Sequence, residues 1–107
     1  MQLEFFSALD TGRARSNNED AVRIDEAIAL AVLADGMGGY NAGEVASAMA
    51  VDHVCDDMAR WLAQPSGPRD EEEIRTALMA SAQHANQAVF DASQSRAEYA
   101  GMGTTLV

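Results

Sequence analysis

The sequence predicts an α+β fold, with helices layered on a mostly antiparallel sheet. Two observations carry that expectation. Short apolar runs of strand length come first, then two long stretches of helical periodicity, then a last strand-like run; this is not a strict βαβ alternation. Each helical stretch also gathers its apolar residues on one stripe, the pattern of a helix lying on a core.

Taken in order, residues 3–9 read as a first strand, with Phe5 and Phe6 blurring the alternation. Residues 10–20 are polar, contain Gly12, Asn17 and Asn18, and read as a loop. Residues 21–24 form a short strand, and Asp25-Glu26 a tight turn. The run over residues 28–34 is continuously apolar and ends at Asp35-Gly36, which predicts a strand buried on both faces. Residues 36–43 hold four glycines in eight positions and read as a loop. Asn41 with Glu44 three residues later has the form of a helix-opening capping box.

The helix it opens is expected to reach about Leu62. Ala50, Val54, Met58 and Trp61 share one stripe with Val51 and Leu62 beside it, while Asp52, His53, Asp56 and Arg60 take the other side. Pro65 to Pro68 break the pattern. A second helix starts at Asp70, where the acidic run over residues 70–73 meets the positive end of the helix dipole. Its stripe of Ile74, Ala77, Leu78, Ser81, Ala85, Ala88, Val89 and Ala92 is small enough for close packing on the first helix. Residues 101–107 return to strand character.

A chain of 107 residues is the size of one domain. Its net charge of −10 argues against nucleic acid and anionic membranes as partners, because their phosphates would be repelled. All seven basic residues other than histidine are arginines, so a P-loop lysine, a lysine Schiff base and a kinase-type lysine are excluded. The lone Cys55 excludes an internal disulfide and a multi-cysteine zinc site, and fits a reducing cytoplasm. No apolar run approaches the ~20 residues of a membrane span. The first residues do not read as a secretory signal.

Two segments carry candidate chemistry: residues 15–20, Arg-Ser-Asn-Asn-Glu-Asp, and residues 35–39, Asp-Gly-Met-Gly-Gly. Alone, the first is a polar loop and the second a turn. Together, each at a strand boundary, they suggest a site. Asp35 sits where a strand meets an open glycine-rich loop, a favoured place for functional side chains. Glu19 and Asp20 add hard oxygen donors, a set that selects magnesium, manganese or calcium. Gly36 lacks a Cβ and lets its backbone carbonyl approach an ion. Arg15 carries a planar guanidinium suited to a phosphate. The glycine spacing is not Gly-x-Gly-x-x-Gly, so a nucleotide-binding loop is poorly supported.

The order Arg-x-x-Asn-Glu-Asp-Ala, buried strand, Asp-Gly-Met-Gly-Gly, long helix, and late Gly-Met-Gly-Thr-Thr-Leu-Val over residues 101–107 resembles the type 2C, or PPM, family of protein phosphatases. The resemblance implies the N-terminal part of a four-layer αββα sandwich. It implies hydrolysis of phosphoserine and phosphothreonine in proteins with two manganese or magnesium ions. Asp35 would bridge the ions, Gly36 and Glu19 would serve one of them, Asp20 would act nearby, and Arg15 would hold the substrate phosphate.

Two departures qualify what it implies. Some members carry a histidine after Asp-Gly, where this chain has Met37, and His53 and His84 match no motif position. The family's later metal-binding aspartates, in an Asp-Gly and an Asp-Asn segment, are also absent. Residues 1–107 are therefore expected to be the N-terminal portion of a single catalytic domain. Alone the chain would be weakly active or inactive, needing the remaining half or another chain. The competing expectation is a noncatalytic module that binds a phosphoprotein or another partner on the same scaffold.

Overall fold

A computed structural model describes residues 19–39, 42–65, 67 and 69–107. The expected strand over residues 3–9, Arg15, and Asn41 of the expected capping box lie outside the described residues. Strand β1 (Asp20–Asp25) leads through a 3-10 turn (Glu26–Ile28) to β2 (Leu30–Met37). Helices α1 (Ala42–Ala63) and α2 (Glu71–Ser95) follow, then a second 3-10 turn (Ala97–Tyr99) and β3 (Gly103–Thr104). The sheet order is β1-β2-β3, antiparallel throughout, in agreement with the α+β expectation.

The β1–β2 connection differs from the expected tight turn. The Asp25 carboxylate accepts a hydrogen bond from Ala27 N–H at 3.1 Å, and Ala29 closes the 3-10 turn at a φ of 54°. A side-chain oxygen of this kind offers the backbone a local alternative to the sheet ladder. Ile28 is drawn into the turn, and β2 begins two residues later.

Strand β2 is buried on one face, not on both. Val32, Ala34 and Gly36 point under the helices, while Ala31, Leu33, Asp35 and Met37 are exposed. The apolar run hid this alternation because its alanines are compatible with either face. On the far side of β2, only Gly103 and Thr104 are regular strand, but the pairing continues. Thr105 N–H donates to the Asp35 carbonyl at 2.9 Å, and Leu33 and Val107 exchange both backbone bonds at 2.8 Å. Residues 103–107 thus follow β2 to its middle.

Helix α1 covers this sheet with Ala50, Val51, Val54, Cys55 and Met58, which join Val32, Ala34 and Ala85 in the main core. A smaller cluster of Ala42, Ala46, Val89 and Met102 extends it towards the start of α1. Helix α2 opens with the Asp70 carboxylate accepting from Glu73 N–H at 2.8 Å, an N-cap in the expected place. It docks through Ser81, Ala85 and Val89. Ile74, expected on this stripe, is 37% exposed, because it lies one turn ahead of Ala77 and Leu78, where contact with the core begins.

Asp57 ties the helices together. It accepts from Ser81 Oγ at 3.2 Å, lies 3.2 Å from His84 Nδ1, and pairs with Arg60. After α1, Arg69 donates to the Trp61 carbonyl at 2.7 Å and sets its guanidinium 4.2 Å from the indole centroid. Both contacts suit a helix C-terminus, where carbonyls lack intrahelical partners and a cation is favoured. Among the described residues no helix is long and apolar enough to cross a membrane.

Candidate metal centre

The site is built where β1 begins and β2 ends. Asp20 and Asp35 are opposite each other in the β1–β2 ladder. Gly36 N–H donates to the Glu19 carbonyl at 3.2 Å, so Glu19 and Gly36 form the hydrogen-bonded pair. Asp20 and Asp35 are then the closer, non-hydrogen-bonded pair, with Cα atoms about 4.5 Å apart and side chains on the same face. Like charges placed so oppose the ladder.

Asp35 is held from its other side as well. Its N–H donates to Thr105 Oγ1 at 3.1 Å, while its carbonyl accepts from Thr105 N–H. The aspartate therefore occupies the central strand with both its backbone N–H and its carbonyl bonded to Thr105 on the β3 side. Its side chain stays on the exposed face of the sheet, while Asp20 Oδ1 is turned away from solvent.

Glu19 is fixed by the start of α1. Its carbonyl accepts a second hydrogen bond, from the fully buried Ser47 Oγ at 2.6 Å. Its carboxylate passes over Gly43, where an added Cβ would meet Glu19 Oε2 at 2.7 Å and Met37 N at 2.7 Å. The first turn of α1 thus rests on the β2 backbone with a carboxylate at its positive end, a favourable arrangement. Gly36 completes the close approach, since a Cβ there would fall 1.9 Å from the Gly43 carbonyl oxygen.

Four of the five expected site residues, Glu19, Asp20, Asp35 and Gly36, are brought together here. Arg15 lies outside the described residues. Among the described residues no three His, Cys, Asp or Glu side chains gather closely enough to hold an ion by themselves. Met37 follows on the exposed face two residues beyond Asp35, and is 60% exposed. His53 and His84 sit on the helices; His84 belongs to the Asp57 contact. Burial pushes the Cys55 thiol up, with smaller opposing help from Arg23, so it is a core residue rather than a nucleophile.

Sequence reasoning missed Ser47, Gly43 and Thr105 as supports of this site. Residues 36–43 read as one loop, whereas β2 continues to Met37 and α1 already includes Ala42 and Gly43. The signal available was the glycine spacing: Gly36 and Gly43, seven apart, are the two points where strand and helix backbones touch.

Known proteins resemble this chain over most of its length. The serine/threonine phosphatase stp of Listeria monocytogenes is 40% identical over 110 residues, a match covering 100% of this chain and 41% of that protein. The crystal structure of the Mycobacterium tuberculosis serine/threonine phosphatase PstP/Ppp superposes with a TM-score of 0.70 at 35% identity, covering 92% of this chain and 38% of that one. The chain therefore spans about two-fifths of the length of these relatives. A catalytic domain of PstP solved in complex with two manganese ions superposes with a TM-score of 0.73 at 35% identity, covering 92% of this chain and 39% of that one. A family model described as protein phosphatase 2C matches residues 12–107. On that match, the chain belongs to the protein phosphatase 2C family.

Proposed function

We propose that residues 1–107 are the N-terminal portion of a catalytic domain that hydrolyses phosphoserine and phosphothreonine in phosphorylated proteins. The observation that carries this reading is the Asp20–Asp35 pair, two aspartates directly opposite each other in the β1–β2 ladder, with Glu19 the residue before Asp20. The donors are oxygens alone, a set suited to manganese or magnesium. Asp35 would bridge two ions; Glu19 and the Gly36 carbonyl would serve one, and Asp20 would act close by. When bound, such ions lower the pKa of a water and offset the charge of a phosphoryl group.

The chain's own residues then have distinct tasks. The strand pairing of Asp35 on both sides sets the position of its carboxylate, and the first turn of α1 orients Glu19 through Ser47 and Gly43. Arg15 would hold the substrate phosphate with parallel hydrogen bonds. Met37 takes the place where some members carry a histidine, so a proton for the leaving group comes from water or from another residue. Further carboxylates from the remaining half of the domain, or another chain, would complete the ion site, and the chain alone would turn over little. The single buried thiol suits the cytoplasm.

A manganese titration followed by electron paramagnetic resonance tests the reading on this chain. Weak binding is expected, and Asp35→Asn removes it. Binding unchanged by Asp35→Asn would dismiss Asp35 as a ligand. Saturable phosphopeptide binding without added metal would favour a noncatalytic module instead.

A further inference from the structure

At the far end of α1 from the metal centre, an open groove of about 700 Å³ runs between the two helices. Gly43 and Trp61 are eighteen residues apart on α1, which separates the two places by about 27 Å. The groove exists because of side-chain size. Helix α2 offers Ala77 and Ala80 to the seam, too short to fill the space beside Met58 and Trp61. Trp61, with Arg69 stacked on it, forms one wall. Volumes of this order are typical of ligand-binding clefts.

The charges of the groove are unevenly committed. Arg60 pairs with Asp57, and Arg69 is occupied by the Trp61 carbonyl and ring. Asp70 is spent on capping α2, and Arg75 pairs with Glu71 outside the groove. Glu72 and Glu73 stand exposed on the opposite rim. Arg60 is thus ion-paired, while Arg69 keeps its charge but is held against Trp61. With Asp70, Glu72 and Glu73 on the rim the groove is acidic on balance, within a chain of net charge −10.

We infer that this groove binds a basic, amphipathic peptide segment of a partner protein. An arginine or lysine would meet Glu72 and Glu73, and an apolar side chain would cover Ala77, Ala80 and the edge of Trp61. The acidic field also attracts such a segment before contact.

The test titrates the full chain with an acetylated, amidated octapeptide alternating arginine and leucine. Emission of Trp61, the sole tryptophan, is read with calorimetry alongside. A saturable response is expected. Removing both rim charges in the double variant Glu72→Gln, Glu73→Gln weakens it about fivefold, ~1 kcal/mol. Ala80→Leu, which fills the groove and leaves charge unchanged, weakens it independently. A flat titration, equal binding of a glutamate–leucine octapeptide, or affinity unmoved in both variants overturns the inference. Spermine binding more tightly than the peptide would also overturn it, in favour of a small polyamine. Manganese binding, measured on the same variants, stays unchanged, so failure here is distinct from failure of the metal centre.

Discussion

Replacing Gly36 with alanine should separate helix α1 from strand β2. The new Cβ would lie 1.9 Å from the Gly43 carbonyl oxygen and 2.8 Å from the Glu19 carbonyl oxygen. Both neighbours are backbone, so no rotamer change relieves the overlap. Either α1 lifts from the sheet or the Glu19–Gly36 pair parts. Overpacking of a closed site costs about 1–3 kcal/mol, and the absence of a flexible neighbour puts this one near ~3 kcal/mol. For a chain of this size that is a fall in Tm of about 12 °C. The assay is thermal unfolding by circular dichroism, with Gly67→Ala as control because a Cβ at Gly67 meets nothing within 4 Å. Manganese binding should weaken in Gly36→Ala, since Glu19 moves with its carbonyl. A Tm within about 2 °C of the parent protein would refute the seating of α1 on Gly36.

The remaining expectations follow from the same contacts. Ser47→Ala leaves the Glu19 carbonyl with Gly36 N–H alone and should cost about 1 kcal/mol, read from chemical denaturation. Burial, the largest single influence on Asp57, raises its pKa, but hydrogen bonds from His84 and Ser81 and the charge of Arg60 outweigh it and hold it below the ordinary carboxylate value. A folded-state pKa below the unfolded one gives stability that is present above the unfolded value and lost as pH falls through the folded one. Asp57→Asn should therefore flatten the acid limb of the stability profile below about pH 4 and leave its shape at neutral pH. Cys55, buried and with its thiol pushed up, should react with Ellman's reagent only as the chain unfolds, which stopped-flow absorbance would show.

Much of this fold is legible in the sequence because its helices announce themselves. The Val54–Met58–Trp61 stripe and the Asp70 cap depend on local periodicity and on one carboxylate reaching its own helix. The strand ending at Asp35 is equally clear. Which of its faces is covered is not, because alanines at positions 31 and 34 carry no preference, yet one is exposed and the other fully buried. The turn before β2 also resisted, since Asp25 acts through its side chain and draws in Ile28.

For the site, residue type pointed to Glu19, Asp20, Asp35 and Gly36, and motif resemblance supplied their roles. Their supports, Ser47, Gly43 and Thr105, are contacts across 28, 24 and 70 positions along the chain from Glu19, Glu19 and Asp35. No local pattern encodes such distances. Only the register of the β1–β2 ladder sets Asp20 opposite Asp35.

The most direct measurement is manganese-dependent hydrolysis of p-nitrophenyl phosphate by the whole domain, wild type beside Asp35→Asn. The proposed mechanism predicts turnover that requires manganese and falls to background in the variant. Turnover that survives Asp35→Asn would contradict it, and would move the chemistry away from the strand end where β1 and β2 bring their carboxylates together.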